Sequence, residues 1–136
     1  MIQYTNSLEN ITTEMLGDGF FAGWPNPPSK DAHMRILNGS YCVWIAIDTD
    51  RNKIVGFINA ISDGFMSAYI PLLEVLPDYQ TRGIGRELVT RTLESLKHLY
   101  MIDLTCDEPL QSYYKKLGMS ESTGMFMRNY ERQSCE

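Results

Sequence analysis

The sequence lacks a hydrophobic run long enough to cross a membrane as a helix. Its longest uninterrupted apolar stretch is 41–47, whereas a spanning helix needs about 20 such residues. The opening residues, 1–6, contain neither the basic nor the apolar region of a secretory signal peptide. We therefore expect a cytoplasmic protein that is not exported and has no membrane partner.

Cysteine and positive charge are also scarce. The three cysteines, Cys42, Cys106 and Cys135, form neither an even set nor a cluster with metal-ligand spacing. This favours a reducing compartment, and we expect no metal site. Lys and Arg number 12 against 17 Asp and Glu, for a net charge of −5. That balance argues against a general affinity for nucleic acid or an anionic membrane.

The sequence does have the composition of an ordinary globular domain. It is 136 residues long, 43% apolar and 21% charged, and that length is typical of one domain. No internal repeat, low-complexity tract or linker divides it. We therefore expect a single domain over 1–136. The sequence leaves open whether this domain is a monomer or a homodimer.

Strand patterns dominate the first part of the chain. Residues 2–4 are suited to a short edge strand, and a helix is expected between Ser29, as its N-cap, and Gly39. Three β-branched or aromatic runs follow at 41–47, 53–61 and 67–76, separated by turn residues that include Asp63 and Gly64. Short turns between successive strands predict an antiparallel meander.

Beyond Pro77 the apolar residues recur every three or four positions as far as Tyr100, which predicts an amphipathic helix. A short buried strand is expected at 101–105, a second helix at 109–117 and a closing strand at 124–130. The order predicts an α+β fold with a mixed sheet. An antiparallel meander is followed by a parallel β–α–β unit and the closing strand.

The junction between the third meander strand and the long helix carries the clearest chemical signal. A loop with two glycines, Gly83 and Gly85, leads directly into the helix. A helix N-terminus presents unpaired N–H groups and positive potential, and Arg82 and Arg86 add charge. These features predict a cradle for a diphosphate, although glycines at such junctions also form ordinary turns.

Known phosphate loops do not match this junction. The Gly-Lys-Ser/Thr of a Walker loop is absent, and Leu88 stands where the dinucleotide fingerprint has its third glycine. The pattern Gln80-x-x-Gly83-x-Gly85 instead resembles the acetyl-CoA motif of the GNAT superfamily of N-acetyltransferases. The segment Ser112-Tyr113-Tyr114-Lys115-Lys116-Leu117-Gly118-Met119 is similar to that family's second motif, Phe-Tyr-x-x-x-Gly-Phe.

The resemblance implies acetyl-CoA as the acetyl-donor cosubstrate. It implies that pantetheine pairs with the strand residues Leu73, Glu74 and Val75. It also implies that the pyrophosphate lies on the backbone amides of the loop and first helical turn: Gln80, Thr81, Arg82, Gly83, Ile84, Gly85 and Arg86. The strand after the helix is expected to splay away from its neighbour. Pro71 then lies either at a bulge or on an open edge, because proline cannot donate to a strand ladder.

The resemblance assigns Tyr114 as the acid that protonates the departing thiolate, and Tyr113 as a packing aromatic. A phenol is a reasonable acid for a thiolate, although Tyr114 is also suited to a core. The general base stays open. Glu74 is the sole carboxylate on the strand, where alternation turns it away from Leu73 and Val75. A water chain ending at Asp63, Glu74 or Tyr69 is the alternative.

By analogy with the family, Phe20, Phe21, Trp24 and Tyr69 line the acceptor pocket; the alternative is that these aromatic residues seal the edge of the core. His33 is expected on a surface helix and His98 in the last turn of the long helix. Neither histidine is accompanied by other residues with metal-ligand spacing. Cys106 is expected to be an inert packing residue at the end of a buried strand.

Three functions are compatible with these features. The leading one is acetyl transfer from acetyl-CoA to the primary amine of a small molecule, by direct attack in a ternary complex. The second keeps the enzyme class but takes a protein N-terminus or lysine as the acceptor. The third is a non-catalytic acyl-CoA-binding module, which is compatible with the missing acidic residue at the positions of Tyr69, Pro71 and Leu72.

Overall fold

A sheet of five strands, ordered along the sheet as they occur along the chain, forms the centre of the computed structural model, which describes residues 1–136. The antiparallel strands are β1 (Ile2–Thr5), β2 (Cys42–Asp48), β3 (Lys53–Ser62) and β4 (Ser67–Val75). Strand β5 (Met101–Asp103) runs parallel to β4. The mixed α+β sheet expected from the sequence is confirmed.

Three helices pack around this sheet. Helix α1 (Lys30–Asn38) is capped by Ser29, whose hydroxyl accepts a 3.1 Å hydrogen bond from the Ala32 amide. Helix α2 (Ile84–Ser95) follows β4, and α3 (Gln111–Lys116) follows β5. Short 3-10 turns occupy Thr13–Met15, Pro77–Tyr79, Glu108–Leu110 and Tyr130–Arg132.

Two apolar clusters cover the two faces of the sheet. On one face α2 packs Leu88 and Val89 against Ile58 of β3. On the other, Leu37 of α1 packs with Phe57 of β3. Burial of both faces explains why β3 is an almost continuous apolar run rather than an alternating one.

A bulge interrupts β4 at Pro71. Asn59 of β3 pairs with Leu72 and Ile61 pairs with Tyr69, so β4 has one more residue than β3 in this interval. A bulge removes the need for a ladder donor at that position. The bulge interpretation of Pro71 is therefore confirmed.

The bulge also changes which residues of β4 face α2. Before it Ala68 and Ile70 belong to the α2 cluster, whereas after it Leu73 and Val75 pack there. Glu74 is consequently turned to the α1 face, as alternation along the strand predicts. Strand β5 pairs only with Ser67–Tyr69, before the bulge, so β4 and β5 separate beyond that point.

The predicted closing strand at 124–130 is wrong, because these residues have no partner strand. The backbone amides of 120–128 donate no hydrogen bond to another backbone group, and Met125 and Met127 are 98% and 93% exposed. Strand propensity alone does not make a strand without a neighbour to pair with. Strand β5 therefore keeps an open outer edge, and it is shorter and less buried than predicted.

Both histidine placements need correction. His33 is 2% exposed, because it lies one helical turn from Leu37 on the face of α1 that packs on the sheet. Phe20, Phe21 and Phe57 surround its ring. Since α2 ends at Ser95, His98 lies beyond the helix, with its Nε2 3.2 Å from the Tyr41 hydroxyl.

Candidate active site

The loop before α2 presents a row of free backbone N–H groups. The amides from Thr81 to Arg86 donate no hydrogen bond within the protein; the first amide of α2 to do so is that of Glu87, which bonds the Gly83 carbonyl at 3.0 Å. The Gln80 amide is already bonded to the Pro77 carbonyl, so the free row begins one residue later than predicted. Such a row, at the positive end of a helix, could hold an anion.

The two glycines of this loop leave space beside the row. Gly83 is the N-cap and has a φ of +81°, a conformation that favours glycine, and no atom lies within 4 Å of where a Cβ would stand. A Cβ at Gly85 would make ordinary contact with Val75 Cγ2 at 3.8 Å. Packing within the chain therefore does not require glycine at position 85. The absence of a side chain there leaves space in which a ligand could approach the backbone amides.

A hydrogen-bond cluster around the buried carboxylate of Asp48 holds the start of the loop. Tyr79 donates a 2.6 Å bond to Asp48 at the end of β2, and Arg51 donates a 2.8 Å bond to the same Asp48 oxygen. These two bonds hold the pKa of Asp48 well below its usual range. The Arg82 guanidinium lies over the Tyr79 ring, 5.0 Å from its centre. Arg82 is thereby kept beside the free amides.

The second part of the site is the open edge of β4. Leu73, Glu74 and Val75 pair with β3 on one side and have no partner strand on the other, because β5 separates at the bulge. The Gln80 side chain donates a 3.0 Å hydrogen bond to the Val75 carbonyl and ties the loop to the strand. An extended chain could pair with this edge as an added strand.

Glu74 points to the α1 face and is half-buried there. One of its oxygens, Oε1, accepts a 2.8 Å hydrogen bond from the Phe21 amide, while Oε2 is buried without any partner. Burial raises the pKa of Glu74, and the Phe21 bond opposes that shift. Phe21 adopts a left-handed backbone conformation with φ of +61°, which is uncommon for a bulky residue. The Glu74 bond helps to hold that conformation.

The four predicted acceptor-pocket residues divide into two groups. Phe21 is 4% exposed and Phe20 is half-buried, so both mainly fill the edge of the core. Trp24 is exposed and stacks against Phe21, with ring centres 4.9 Å apart. Tyr69 is also exposed, and its hydroxyl lies 2.8 Å from Thr105 Oγ1. Only Trp24 and Tyr69 thus present much surface to a ligand.

Two further polar groups on the α1 face were not predicted as site residues. Nε2 of His33 and Oδ1 of Asn59 are both buried without a hydrogen-bond partner, and burial lowers the pKa of His33 to about 4. Asn59 forms one bond, from its Nδ2 to the Ser40 hydroxyl at 3.0 Å. An asparagine within an apolar strand was the signal that could have identified it.

A cavity of about 970 Å³ lies beside β5 and α3. Tyr114 borders it and is half-buried against the α2 cluster; burial, with the nearby Tyr113 and Cys106, raises the pKa of Tyr114. Tyr113 packs edge-on against Tyr114, with ring centres 5.1 Å apart. Cys106 lies beyond β5 and borders the same cavity, rather than ending a buried strand.

Tyr114 and Glu74 lie on opposite faces of the sheet. Tyr114 packs with the α2 cluster, whereas Glu74 contacts Phe21 of the α1 cluster. The gap between β4 and β5 opens between these faces.

The structure contains no group of three or more His, Cys, Asp and Glu residues that could hold a metal ion. No helix is long and apolar enough to cross a membrane.

A sheet splayed at a bulge, next to a glycine loop of free amides, defines an acyltransferase fold of the type that the sequence motifs indicated. A family model, the acetyltransferase (GNAT) family, matches residues 9–119. The chain therefore belongs to the GNAT family, and the resemblance found in its motifs is confirmed.

Individual relatives agree with this assignment. A crystal structure of an acetyltransferase-family protein from Deinococcus radiodurans R1 is 43% identical, with a TM-score of 0.92, over 98% of this chain and 92% of that one. The N-acetyltransferase ycf52 of Pyropia yezoensis is 31% identical over 85% of this chain and 68% of its own length. The chloroplastic GCN5-related N-acetyltransferase 3 of Arabidopsis thaliana is 32% identical over 64% of this chain.

These relatives support an N-acetyltransferase enzyme. The matched part of this chain spans only 40% of the Arabidopsis protein and 54% of the ycf52 protein of Gracilaria tenuistipitata var. liui. Because the relatives include proteins named as chloroplastic, the cytoplasmic location stays a prediction.

Proposed function

We propose that the protein transfers an acetyl group from acetyl-CoA to the primary amine of a small molecule, by direct attack in a ternary complex. The observation that carries the proposal is the row of free amides from Thr81 to Arg86 beside the open edge of β4. The pyrophosphate of acetyl-CoA needs anion-binding amides, and its pantetheine arm needs an extended edge with which to form hydrogen bonds. The protein supplies both next to each other.

The residues of the loop fit the anionic part of acetyl-CoA. The free amides of Thr81, Gly83 and Gly85 would hold the pyrophosphate, together with those of Arg82, Ile84 and Arg86. Arg82, in the loop, and Arg86, in the first turn of α2, are both exposed and add positive charge to a protein whose net charge is −5. Local geometry thus provides a site for a polyanion that the overall charge disfavours.

Along the strand, Leu73, Glu74 and Val75 would pair with the pantetheine arm through their outer backbone groups. When bound, acetyl-CoA supplies a thioester whose carbonyl carbon is open to attack by an amine. Backbone amides of this strand would stabilise negative charge on the carbonyl oxygen.

Glu74 is the residue we assign as general base. A primary amine is mostly protonated near neutrality and must lose a proton before it attacks. The buried Oε2 has no partner in the protein and is free to accept that proton, directly or through a water molecule. A raised pKa makes Glu74 a stronger base than an ordinary carboxylate, because catalytic efficiency improves as the pKa approaches the working pH.

Tyr114 is assigned as the acid on the other side of the gap. Its hydroxyl would donate a proton to the departing thiolate, whose conjugate thiol has an ordinary pKa of about 8.5. The raised pKa of Tyr114 keeps the phenol protonated until that step. Packing of its ring against Tyr113 and the α2 cluster holds the hydroxyl in one place.

The acceptor would enter from the α1 face, where the Phe21 amide bonds Glu74 and the Phe21 ring packs against the exposed Trp24. Tyr69, exposed on the same strand as Glu74, would contribute a second aromatic face. Aromatic faces with one carboxylate suit an amine attached to an apolar body. Phe20 and Phe21 would form the rear of this pocket rather than its opening. The acidic net charge of −5 would help to attract a cation.

The test is release of free thiol from acetyl-CoA across a panel of small amines, amino acids and peptides. We expect turnover with a small amine that has an apolar body, and slower turnover with peptides. A preference for peptides would assign a protein acceptor instead. Stabilisation by acetyl-CoA without turnover on any acceptor would indicate a non-catalytic binding module.

Glu74→Gln separates the base from the binding site. The Gln side chain can still accept the Phe21 bond, so the fold and the acetyl-CoA-induced rise in melting temperature should persist. Turnover should fall by about 100-fold or more, the usual contribution of a general base. Glu94→Gln, at an exposed carboxylate of α2, is the matched control and should leave turnover unchanged. Equal turnover in both variants would exclude Glu74 as the base.

A further inference from the structure

Asn59 carries a hydrogen-bonding group that neither the fold nor the proposed reaction uses. It is the one polar side chain in the stretch 54–61 of β3, and it is 1% exposed. Its Nδ2 donates to the Ser40 hydroxyl at 3.0 Å, whereas its Oδ1 is buried without a partner. Because buried polar atoms in proteins are nearly always hydrogen-bonded, this oxygen requires a partner that the chain itself does not supply.

The orientation of the Asn59 side chain is fixed by Ser40. The Ser40 hydroxyl donates its single proton to the Ile36 carbonyl, at 2.7 Å. Its oxygen can therefore only accept a bond from Asn59, which requires the nitrogen of the carboxamide to face Ser40. The carboxamide oxygen points away from Ser40, and an exchange of the two ends of the amide would break the Ser40 bond. The free Oδ1 is thus a fixed feature of the fold.

Glu74 lies beside Asn59 on the α1 face of the sheet. Phe57 of β3 is paired with Glu74 of β4, and the next pair on the same face is Asn59 with Leu72. Asn59 and Glu74 are therefore diagonal neighbours, and such residues have Cα atoms about 7–8 Å apart in a regular ladder. One water molecule joins two oxygens that are about 5.5 Å apart, a separation that these two side chains can reach.

The two free oxygens match the donors of a water molecule. Glu74 Oε2 and Asn59 Oδ1 are both hydrogen-bond acceptors, so they cannot bond each other, but a water molecule has one donor for each. The water oxygen then remains able to accept a bond from the substrate amine. The third buried atom without a partner, His33 Nε2, belongs to a ring packed against three phenylalanines: Phe20, Phe21 and Phe57.

We propose that Asn59 is a positioning residue for the general base, because its Oδ1 and Glu74 Oε2 together hold one water molecule between the base and the substrate amine. The amine, in its ammonium form, passes a proton to this water as the water passes one to Glu74. The products are a neutral amine, a protonated Glu74 and the same water, and Asn59 neither gains nor loses a proton. The inference rests on the proposed function, in which Glu74 is the base.

The first experiment looks for the water and needs no turnover. In a crystal structure of the free protein, a water should lie within about 3.2 Å of both Glu74 Oε2 and Asn59 Oδ1. In Asn59→Leu this water should be lost, while Glu74 keeps its bond to the Phe21 amide. Absence of the water from the wild type, or its persistence in Asn59→Leu, would overturn the proposal. A water held by both oxygens in a protein without turnover would count against the proposed function and leave the water site standing.

The second experiment measures steady-state thiol release from acetyl-CoA with a small amine. Asn59→Leu should lower kcat by about tenfold, which is part of the contribution of a general base, with KM for acetyl-CoA unchanged. Asn38→Leu removes an exposed carboxamide at the end of α1 and should match the wild type. Circular dichroism and the acetyl-CoA-induced rise in melting temperature confirm that each variant is folded. A wild-type kcat in Asn59→Leu would overturn the proposal.

The pH profile separates positioning from packing. A carboxylate that loses a donor has a higher pKa, so the acid limb of the kcat profile in Asn59→Leu should move up by about one unit. Neither His33, which stays neutral above its pKa of about 4, nor any charged residue shifts the pKa of Glu74. A lower kcat with an unmoved acid limb would make Asn59 a packing residue only.

Ser40 variants test the orientation of the amide while Asn59 and Glu74 stay in place. Ser40→Ala frees the carboxamide to turn, and kcat should fall by about twofold if two orientations become equally populated. Ser40→Thr keeps a hydroxyl that can donate to the Ile36 carbonyl and accept from Asn59, so it should retain the wild-type kcat. An equal loss in Ser40→Ala and Ser40→Thr, or no loss in Ser40→Ala, would overturn the positioning of Asn59 by Ser40.

Discussion

The Tyr79 hydroxyl donates a 2.6 Å hydrogen bond to Asp48 Oδ2, across 31 residues of sequence. Asp48 is 3% exposed at the end of β2, and Tyr79 ends the 3-10 turn that leads from β4 to α2. This bond anchors the start of the amide row to the end of a strand that is paired on both sides. Arg82, which lies over the Tyr79 ring, is held through the same anchor.

Tyr79→Phe should therefore weaken acetyl-CoA binding without removing any group that we assign to the cosubstrate. A hydrogen bond to a charged group contributes about 1.5–3 kcal/mol. Without this bond the loop is less ordered, and part of the lost free energy must be supplied when acetyl-CoA binds. The dissociation constant should therefore rise about three- to tenfold, as measured by calorimetry. Tyr130→Phe removes an exposed hydroxyl elsewhere and is the control. Unchanged affinity in Tyr79→Phe would show that the loop needs no such anchor.

Gly85→Glu should abolish the rise in melting temperature that acetyl-CoA produces. Val75 leaves room for a Cβ at this position, so the variant should fold, but a negative side chain enters the row of free amides. Gly85→Ala fits the same space without charge and should retain part of the thermal shift. A full shift in Gly85→Glu would place the diphosphate site somewhere else.

Much of the fold follows from local sequence signals. Ser29 caps α1 through its hydroxyl, and Asp63 accepts three backbone bonds in the hairpin before β4. Pro71 lies at a bulge because proline has no donor for the ladder. Residues 124–130 show the limit of such signals: their composition favours a strand, but the availability of a partner strand is a long-range property.

Some parts of the candidate site could be predicted from the sequence, and others could not. The free amides from Gly83 to Arg86 follow from helix geometry, which is local, whereas those of Thr81 and Arg82 belong to the preceding loop. The environment of Glu74 is not local, because its hydrogen-bond partner, the Phe21 amide, is 53 residues away in sequence. The burial of His33 was missed because α1 is short and its histidine was read as polar. Its one-turn separation from Leu37 would have placed it on the apolar face.

Tyr114→Phe should lower kcat by about 100-fold while leaving the affinity for acetyl-CoA nearly intact. The ring and its packing are kept, and only the proton that we assign to the departing thiolate is lost. Steady-state thiol release, with calorimetry for binding, separates the two effects. Tyr113→Phe removes the neighbouring hydroxyl and should change kcat little. Equal kcat in wild type and Tyr114→Phe would make Tyr114 a packing residue alone.

His33 should make the fold sensitive to acid. Its pKa is about 4 in the folded protein and about 6.5 when unfolded, so the unfolded chain binds more protons between these values. Stability contributed by the neutral imidazole is complete above pH 6.5 and is lost as the pH falls through 4. Between pH 7 and pH 4 the loss should be about 3 kcal/mol.

The variant His33→Leu isolates this contribution from those of other titrating groups. It replaces the ring with an apolar side chain among Phe20, Phe21 and Phe57 and removes the unpaired Nε2. Urea unfolding at pH 7, 5.5 and 4 should show a smaller decline in the free energy of unfolding for this variant than for wild type. His98→Leu, at an exposed histidine, is the matched control and should decline as steeply as wild type. Parallel curves for wild type and His33→Leu would mean that His33 can be protonated in the folded state without cost, contrary to its enclosure by three phenylalanine rings.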